Sequence, residues 1–213
     1  MKLAHLGHSC VLVEAAGRRL LIDPGNFSTD WHNLTGLDAV LVTHVHPDHA
    51  DPVALPGLLA ANPQAVVAVE AAVPDAMALP ETTQRLMAGQ QFSVGDVTVE
   101  TVGGHHAVIH ADYPPVGNIG FVIRAPGEPS FFHPGDALDV APASIDFVAI
   151  PAYGPWAAVK ETIEFVRAVG APQGFLIHDG LLNQRGLDLI VRHVTALTPT
   201  QLVDQAGWAP KGC

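Results

Sequence analysis

Residues 37–44 read LDAVLVTH, and the seven residues that follow, VHPDHAD, end at Asp51. A nearly unbroken apolar strand has no face to offer water, so both of its faces must be covered. That rules out a one-sided antiparallel sheet at this point and requires a layered α/β arrangement. The polar run then begins where the strand ends, at the position where α/β proteins usually carry their sites. His44, His46, Asp48 and His49 lie within six residues of one another in a chain with only 15% charged residues. One tight turn could aim all four into a single cleft. Imidazole and carboxylate together suit zinc, manganese or iron, and three such groups leave a coordination position for water.

The rest of the chain supports layers. KLAHL, CVLVEA and RLLIDP read as strands, with AAGRR as a hairpin turn. DPVALPGLLAAN reads as a helix with Asp51 at its N-cap and Pro52 at its first position. QAVVAVE is a buried strand, and Ala71 to Ala88 is weakly helical. QFSVGDVTVETV forms a hairpin turning at Gly95-Asp96; NIGFVIRA, PSFFHPGD and IDFVAIPA are further strands. WAAVKETIEFVRAVG is an amphipathic helix ended by Gly170. GFLIHD and RGLDLIVRHVTAL give a last strand and a last helix. Two β-rich halves, each followed by helices, predict two sheets packed face to face with helices outside, in one domain.

Composition narrows the function. Hydrophobic residues make up 48% of the 213, and the mean hydropathy is +0.27, yet no apolar run reaches the roughly 18 residues that span a bilayer. MKLAHLGHSC places His and Gly where a signal peptide needs an apolar core, so a cytoplasmic protein is expected. Two cysteines, Cys10 and Cys213, are too few for a disulfide framework. Cys10 reads as a packed thiol in a strand, and Cys213 has no inferable role. The net charge of −11 opposes binding to a phosphate backbone, which depends on clustered Lys and Arg.

His-x-His-x-Asp-His closing a buried strand resembles the signature of the metallo-β-lactamase fold superfamily. The resemblance extends along the chain: Asp23 in LIDPG, then the His-rich loop, GGHHAVIH, HPGDAL and LIHDG follow in the family's order. LGHSCVLVE resembles the branch of small metal-dependent hydrolases related to ascorbate-phosphate lactonases and phospholipase-D-type phosphodiesterases. The resemblance implies an α/β fold, a four-layer αββα sandwich of two mixed β-sheets flanked by helices. It also implies two divalent metal ions, with zinc expected and manganese, iron or nickel as alternatives. The first ion would take His44, His46 and a histidine of GGHHAVIH; the second would take Asp48, His49 and His178, with Asp136 bridging both. The third imidazole of the first site is one of His105, His106 and His110. Adjacent residues of an extended segment face opposite ways, and His106 shares its face with His110. His106 is preferred, with His105 and His110 left to a supporting or substrate contact.

Weaker candidates surround this set. Asp23 could fix the tautomer of a ligand imidazole, and His8 could touch substrate. His133 supports Asp136 or merely packs, and Asp179 follows His178 directly. Tyr113, Pro114, Tyr153 and Trp156 could wall a substrate cleft, although Trp156 could equally pack at a helix start. His32 and His193 read as residues without a role. The implied chemistry is hydrolysis of an ester, lactone, amide or phosphoester in a small molecule by a hydroxide held between two ions, with Asp48 orienting it. The alternatives are a mononuclear iron dioxygenase of the same fold and a nucleic-acid phosphodiesterase. The high apolar fraction permits a homo-oligomer; no membrane or nucleic-acid partner is expected.

Overall fold

A computed structural model describes residues 1–203; Cys213 lies outside the described residues. The first sheet holds β1 (Lys2–His5), β2 (Val11–Ala15), β3 (Arg18–Ile22), β4 (Ala39–Val42), β5 (Val66–Glu70) and β6 (Gln84–Leu86) side by side in that order. Its first three strands are antiparallel and the remainder are parallel. The parallel crossovers carry α1 (Leu55–Ala61) and α2 (Val73–Ala76). The second sheet repeats the plan. β7 (Gln91–Val94), β8 (Val97–Gly103), β9 (Ile119–Arg124) and β10 (Phe131–His133) pair antiparallel. β11 (Phe147–Pro151), β12 (Gln173–Ile177) and β13 (Gln201–Leu202) continue it in parallel, joined through α3 (Val159–Val169) and α4 (Gln184–Leu197).

Side-chain alternation sorts the core into three apolar layers. Val11, Val13, Leu20, Ile22, Ala39 and Leu41 of the first sheet meet Ile119, Phe121, Ile123, Phe131 and Phe175 of the second. The opposite faces of the same strands, with Leu12, Leu21, Val40 and Val42, pack on Leu55, Leu58 and Val73 of α1 and α2. Val122, Phe132, Val148 and Ile150 pack on Phe165, Val166, Ile190 and Val194 of α3 and α4. Every central strand is thus apolar on both faces, which is the four-layer αββα sandwich. Cys10 is a free, buried thiol in the layer under α1.

Three local expectations change. Asp51 does not cap α1, because its carboxylate accepts from the backbone N–H groups of Val53 and Ala54 in a preceding turn. The helix begins only at Leu55. The 71–88 stretch holds a four-residue helix and then β6, which pairs with β5. A parallel partner drawn from a distant segment overrides weak helical propensity. β13, too short to read from sequence, adds an edge beside β12.

The loop after β3 is zipped to the His-rich loop after β4. Asn26 N–H donates to the Pro47 carbonyl and Asp51 N–H to the Pro24 carbonyl, while the Trp31 indole N–H holds the Gly25 carbonyl. Gly25 lies at the closest approach, where an added Cβ would sit 1.8 Å from the Asp48 carbonyl oxygen. Backbone cannot yield at that distance without parting the two loops. Gly25→Ala is therefore expected to destabilise the fold by about 1–3 kcal/mol and to lower metal uptake, read by denaturant unfolding and metal analysis. A wild-type midpoint with unchanged uptake would reject the packing argument.

Candidate metal centre

The strand ends that meet at one rim of the sandwich deliver the chemistry. His44, His46, Asp48 and His49 leave β4; His106 follows β8, Asp136 follows β10, His178 follows β12, and His8 sits in the β1–β2 turn. His44, His46, His106 and Asp136 present four ligand-type atoms within 4.8 Å of one another. His8, Asp48, His49 and His178 present another four within the same limit. Asp136 stands between the groups. Its Oδ2 lies 3.2 Å from both His106 Nε2 and His178 Nε2, and its Oδ1 lies 3.1 Å from His49 Nε2.

The outer ring nitrogens are tied down, which fixes which nitrogen faces inward. His49 Nδ1 donates to Asp23 Oδ2 at 2.7 Å, and His106 Nδ1 donates to the Ala107 carbonyl at 2.6 Å. His178 Nδ1 donates to the Tyr153 carbonyl. The Thr43 hydroxyl donates to Asp23 Oδ2, so it accepts from His44 Nδ1 at 3.0 Å. Four Nε2 atoms are thereby presented to one hollow. His46 instead offers Nδ1, 3.0 Å from His44 Nε2. His8 is arranged differently: its Nδ1 accepts the Gly180 N–H at 3.1 Å, which places its proton on Nε2, 3.1 Å from Asp48 Oδ2.

The donors fit a cation. His106 Nε2, His178 Nε2 and Asp136 Oδ1 are buried and have no hydrogen-bond partner. Orphaned buried polar atoms are costly unless something charged satisfies them. Electrostatics divides the same groups. Burial, reinforced by His49, holds His44 well below the usual imidazole range, and burial with His106 lowers His46. Burial also opposes charge on His178, but Asp136 and Asp48 outweigh it and push the ring up to about 9. His49 is likewise raised, Asp136 and Asp23 overcoming burial. Burial would raise Asp136 and Asp48, yet the surrounding imidazoles hold both carboxyls below their usual range.

Backbone strain concentrates here. His8, Asp23 and His178 have φ of 49°, 52° and 55°, three of the five positive values at non-glycine residues among the described residues. Such conformations cost roughly 1–3 kcal/mol each and persist only where surroundings enforce them. The enforcing contacts are visible: His178 N–H donates to the His8 carbonyl, and Asp23 N–H to the Leu41 carbonyl. Gly135 (φ 61°) turns the chain into Asp136 so tightly that an added Cβ would lie 2.3 Å from Asn118 Oδ1.

Of the three competing histidines, only His106 joins the cluster. His105 is exposed, and His110 is exposed and sits 3.5 Å from Asp112 on the surface. The face shared by His106 and His110 is lost because the chain leaves the extended conformation after β8. Asp23 lies behind His49 as expected. His133 is buried with Nε2 against the Ser9 carbonyl and Nδ1 accepting from Gly135 N–H, so it shapes the turn into Asp136. Asp179 points to His5 at 3.9 Å, outside the cluster. Tyr153 contributes its carbonyl to His178, and its side chain faces outward. Tyr113 is exposed and lines, with Pro114, an adjoining opening. Sequence reading missed three supports. Trp156 Nε1 donates to Asp136 Oδ2 at 3.1 Å, Asn118 Oδ1 accepts the Asp136 N–H at 3.0 Å, and Thr43 joins Asp23 to His44. A lone Trp, Asn or Thr carries no spacing signal that marks such a role.

Comparison with known proteins bears on the fold and the family. Residues 2–173 match the family model described as the beta-lactamase superfamily domain. The chain is 37% identical to the protein Rv0786c of Mycobacterium tuberculosis over 201 residues, 94% of either chain. It is 32% identical to a UPF0173 metal-dependent hydrolase of Xanthobacter autotrophicus over 157 residues, 64% of this chain and 62% of that one. In fold it resembles Igni18, a metallo hydrolase of Ignicoccus hospitalis, with a TM-score of 0.68 at 15% identity over 95% of this chain and 94% of that one. An αββα sandwich whose strand ends gather this histidine and aspartate set, together with a match over most of the sequence, places the chain in the beta-lactamase superfamily, within its branch of small metal-dependent hydrolases.

Proposed function

We propose that the chain hydrolyses an ester, lactone, amide or phosphoester bond in a small molecule with the help of two divalent cations, zinc foremost. The observation that carries this reading is the reach of Asp136 from its own four-donor group to His49 and His178 of the other, with the orphaned nitrogens of His106 and His178 beside it. His44, His46 and His106 would hold one cation and Asp48, His49 and His178 the other, with Asp136 shared. Cations there supply Lewis acidity, lowering the pKa of water from 15.7 towards about 7 and offsetting charge on the electrophile.

The chain's own residues do the rest. Asp48 is the carboxylate of the set with an open side, its side chain 20% exposed against 2% for Asp136. It accepts the proton that water gives up as the water oxygen adds to the electrophilic centre. The same proton then passes to the leaving group as the bond to it breaks. His8, its Nε2–H directed at Asp48 Oδ2, keeps that carboxylate in place and is a donor in this scheme, not a ligand. Trp156 steadies Asp136 from the opposite side. Among the described residues no helix is long and apolar enough to cross a membrane.

His46→Ala and Asp136→Ala should each lose bound metal, read by elemental analysis, and lose metal-dependent hydrolysis in parallel. Full metal content in either variant defeats the ligand assignment. His8→Gln retains an N–H donor and should keep the metal content of the wild type. His8→Phe, which removes the donor, should lower turnover by about 10²-fold or more. Equal loss of metal in both variants would make His8 a ligand instead.

Protons and cations compete for the same nitrogens. His178 is protonated below a pH of about 9 and can bind metal only when neutral. Raising the pH towards that value removes the proton, so apparent affinity should climb as the pH rises from about 7 to about 9. Calorimetry in buffers of different ionisation heat should register at least one proton released per protein at pH 7. Zero release would exclude His178 and His49 from coordination.

A further inference from the structure

The cleft above the two donor groups has a volume of 370 Å³, at the small end for ligand sites. Its floor is His46, Asp48, His106, Asp136 and His178, and its rim is almost wholly apolar. Phe27 from the loop after β3, Ile109 from the loop after β8 and Leu181 from the loop after β12 are 47%, 41% and 49% exposed. Pro155 and Trp156, from the loop after β11, close the ring. Scattered exposed apolar residues are ordinary, but here four separate loops each bring one to the same opening. Two of them are also a short step from the metal-type donors: Ile109 is three residues after His106, and Leu181 three after His178.

Charge around the opening is as one-sided as shape. Among the described residues Asn26 is the one polar side chain lining the cleft apart from the donor set and Trp156, whose indole N–H is already given to Asp136. No lysine or arginine among the described residues lines this cleft or the two openings that adjoin it. Asp139, Glu161 and Glu164 line one of those openings instead. A phosphate or carboxylate carried away from the reacting bond would find no cation and would face carboxylates.

Resting on the hydrolase reading above, we infer that the substrate is an uncharged ester, lactone or amide. An alkyl or aryl flank beside its reacting carbonyl would pack against Phe27, Ile109 and Leu181. The acyl C–O or C–N bond breaks, with water supplying hydroxyl to the acyl carbon and a proton to the departing oxygen or nitrogen. An anionic phosphoester is the poorer fit, because nothing outside the donor set would bind its charge.

The test uses the zinc-loaded protein and straight-chain alkyl hydroxamates, from acetohydroxamate to octanohydroxamate, whose head groups bind metal and whose tails are uncharged. Binding measured by calorimetry should tighten about threefold to fourfold per added methylene until the tail outgrows the cleft. A tail of equal length ending in phosphonate should bind more weakly than its alkyl counterpart. In the triple variant Phe27→Ala, Ile109→Ala, Leu181→Ala the dependence on chain length should flatten while metal content stays that of the wild type. No dependence on chain length in the wild type, or tighter binding of the phosphonate, overturns the inference. So does a dimer that the triple variant dissociates without altering the slope, since the apolar rim would then serve a second copy. Hydroxamate affinity that survives removal of zinc would sink the hydrolase reading instead, and a slope persisting there would keep the apolar rim.

Discussion

Asp136, 2% exposed, stands within 3.2 Å of three imidazole nitrogens from three different loops. A carboxylate taken so far from water must be compensated by charge at close range, and a cluster of imidazoles must likewise be compensated by carboxylate. Neither half can exist in the fold alone. The rim of the sandwich is therefore one electrostatic unit, in which removing any member leaves another buried and uncompensated. Its carboxylate charge is offset in part by His49 and His178, the rings whose protonation Asp136, Asp23 and Asp48 favour. A divalent cation would do the same work, and the orphaned atoms are the ones it would satisfy.

Holding such a unit together demands rigidity that ordinary loops lack. The protein obtains it by fastening loops to one another and to strand ends. Asp23 receives Thr43 N–H, the Thr43 hydroxyl and His49 Nδ1, so one buried carboxylate fixes the beginning and middle of the His-rich loop. His178 N–H reaches the His8 carbonyl, and Ile119 N–H the Thr43 carbonyl, so both sheets are stitched at the rim. The left-handed conformations of His8, Asp23 and His178 are the local cost of these connections. The three apolar layers beneath supply the stability that tolerates it.

Legibility in the sequence followed the range of the information. LDAVLVTH revealed a doubly covered strand because burial on both faces leaves no polar alternation, and the structure places Val40 and Val42 under the helices and Ala39 and Leu41 between the sheets. The His-rich loop was equally plain, since its donors are adjacent. Gly170 ended α3 as expected, with φ of 63°. The start of α1 was misread because an Asp-Pro pair serves a turn as well as a helix cap. β6 was missed because its partner β5 lies on the far side of α2 and a surface segment.

The sequence by itself determined the donor types and the strands that end in them, because each is a property of neighbouring residues. Tertiary structure alone decided that His106 enters the cluster while His105 and His110 turn outward. It alone brought His8 to Asp48 across 40 residues, set Gly180 against His8 across 172, and placed the Trp156 indole on Asp136. The reason is physical: periodicity encodes which face a residue takes within its own element. Convergence between elements is set by sheet order and loop closure, which no short stretch of chain contains.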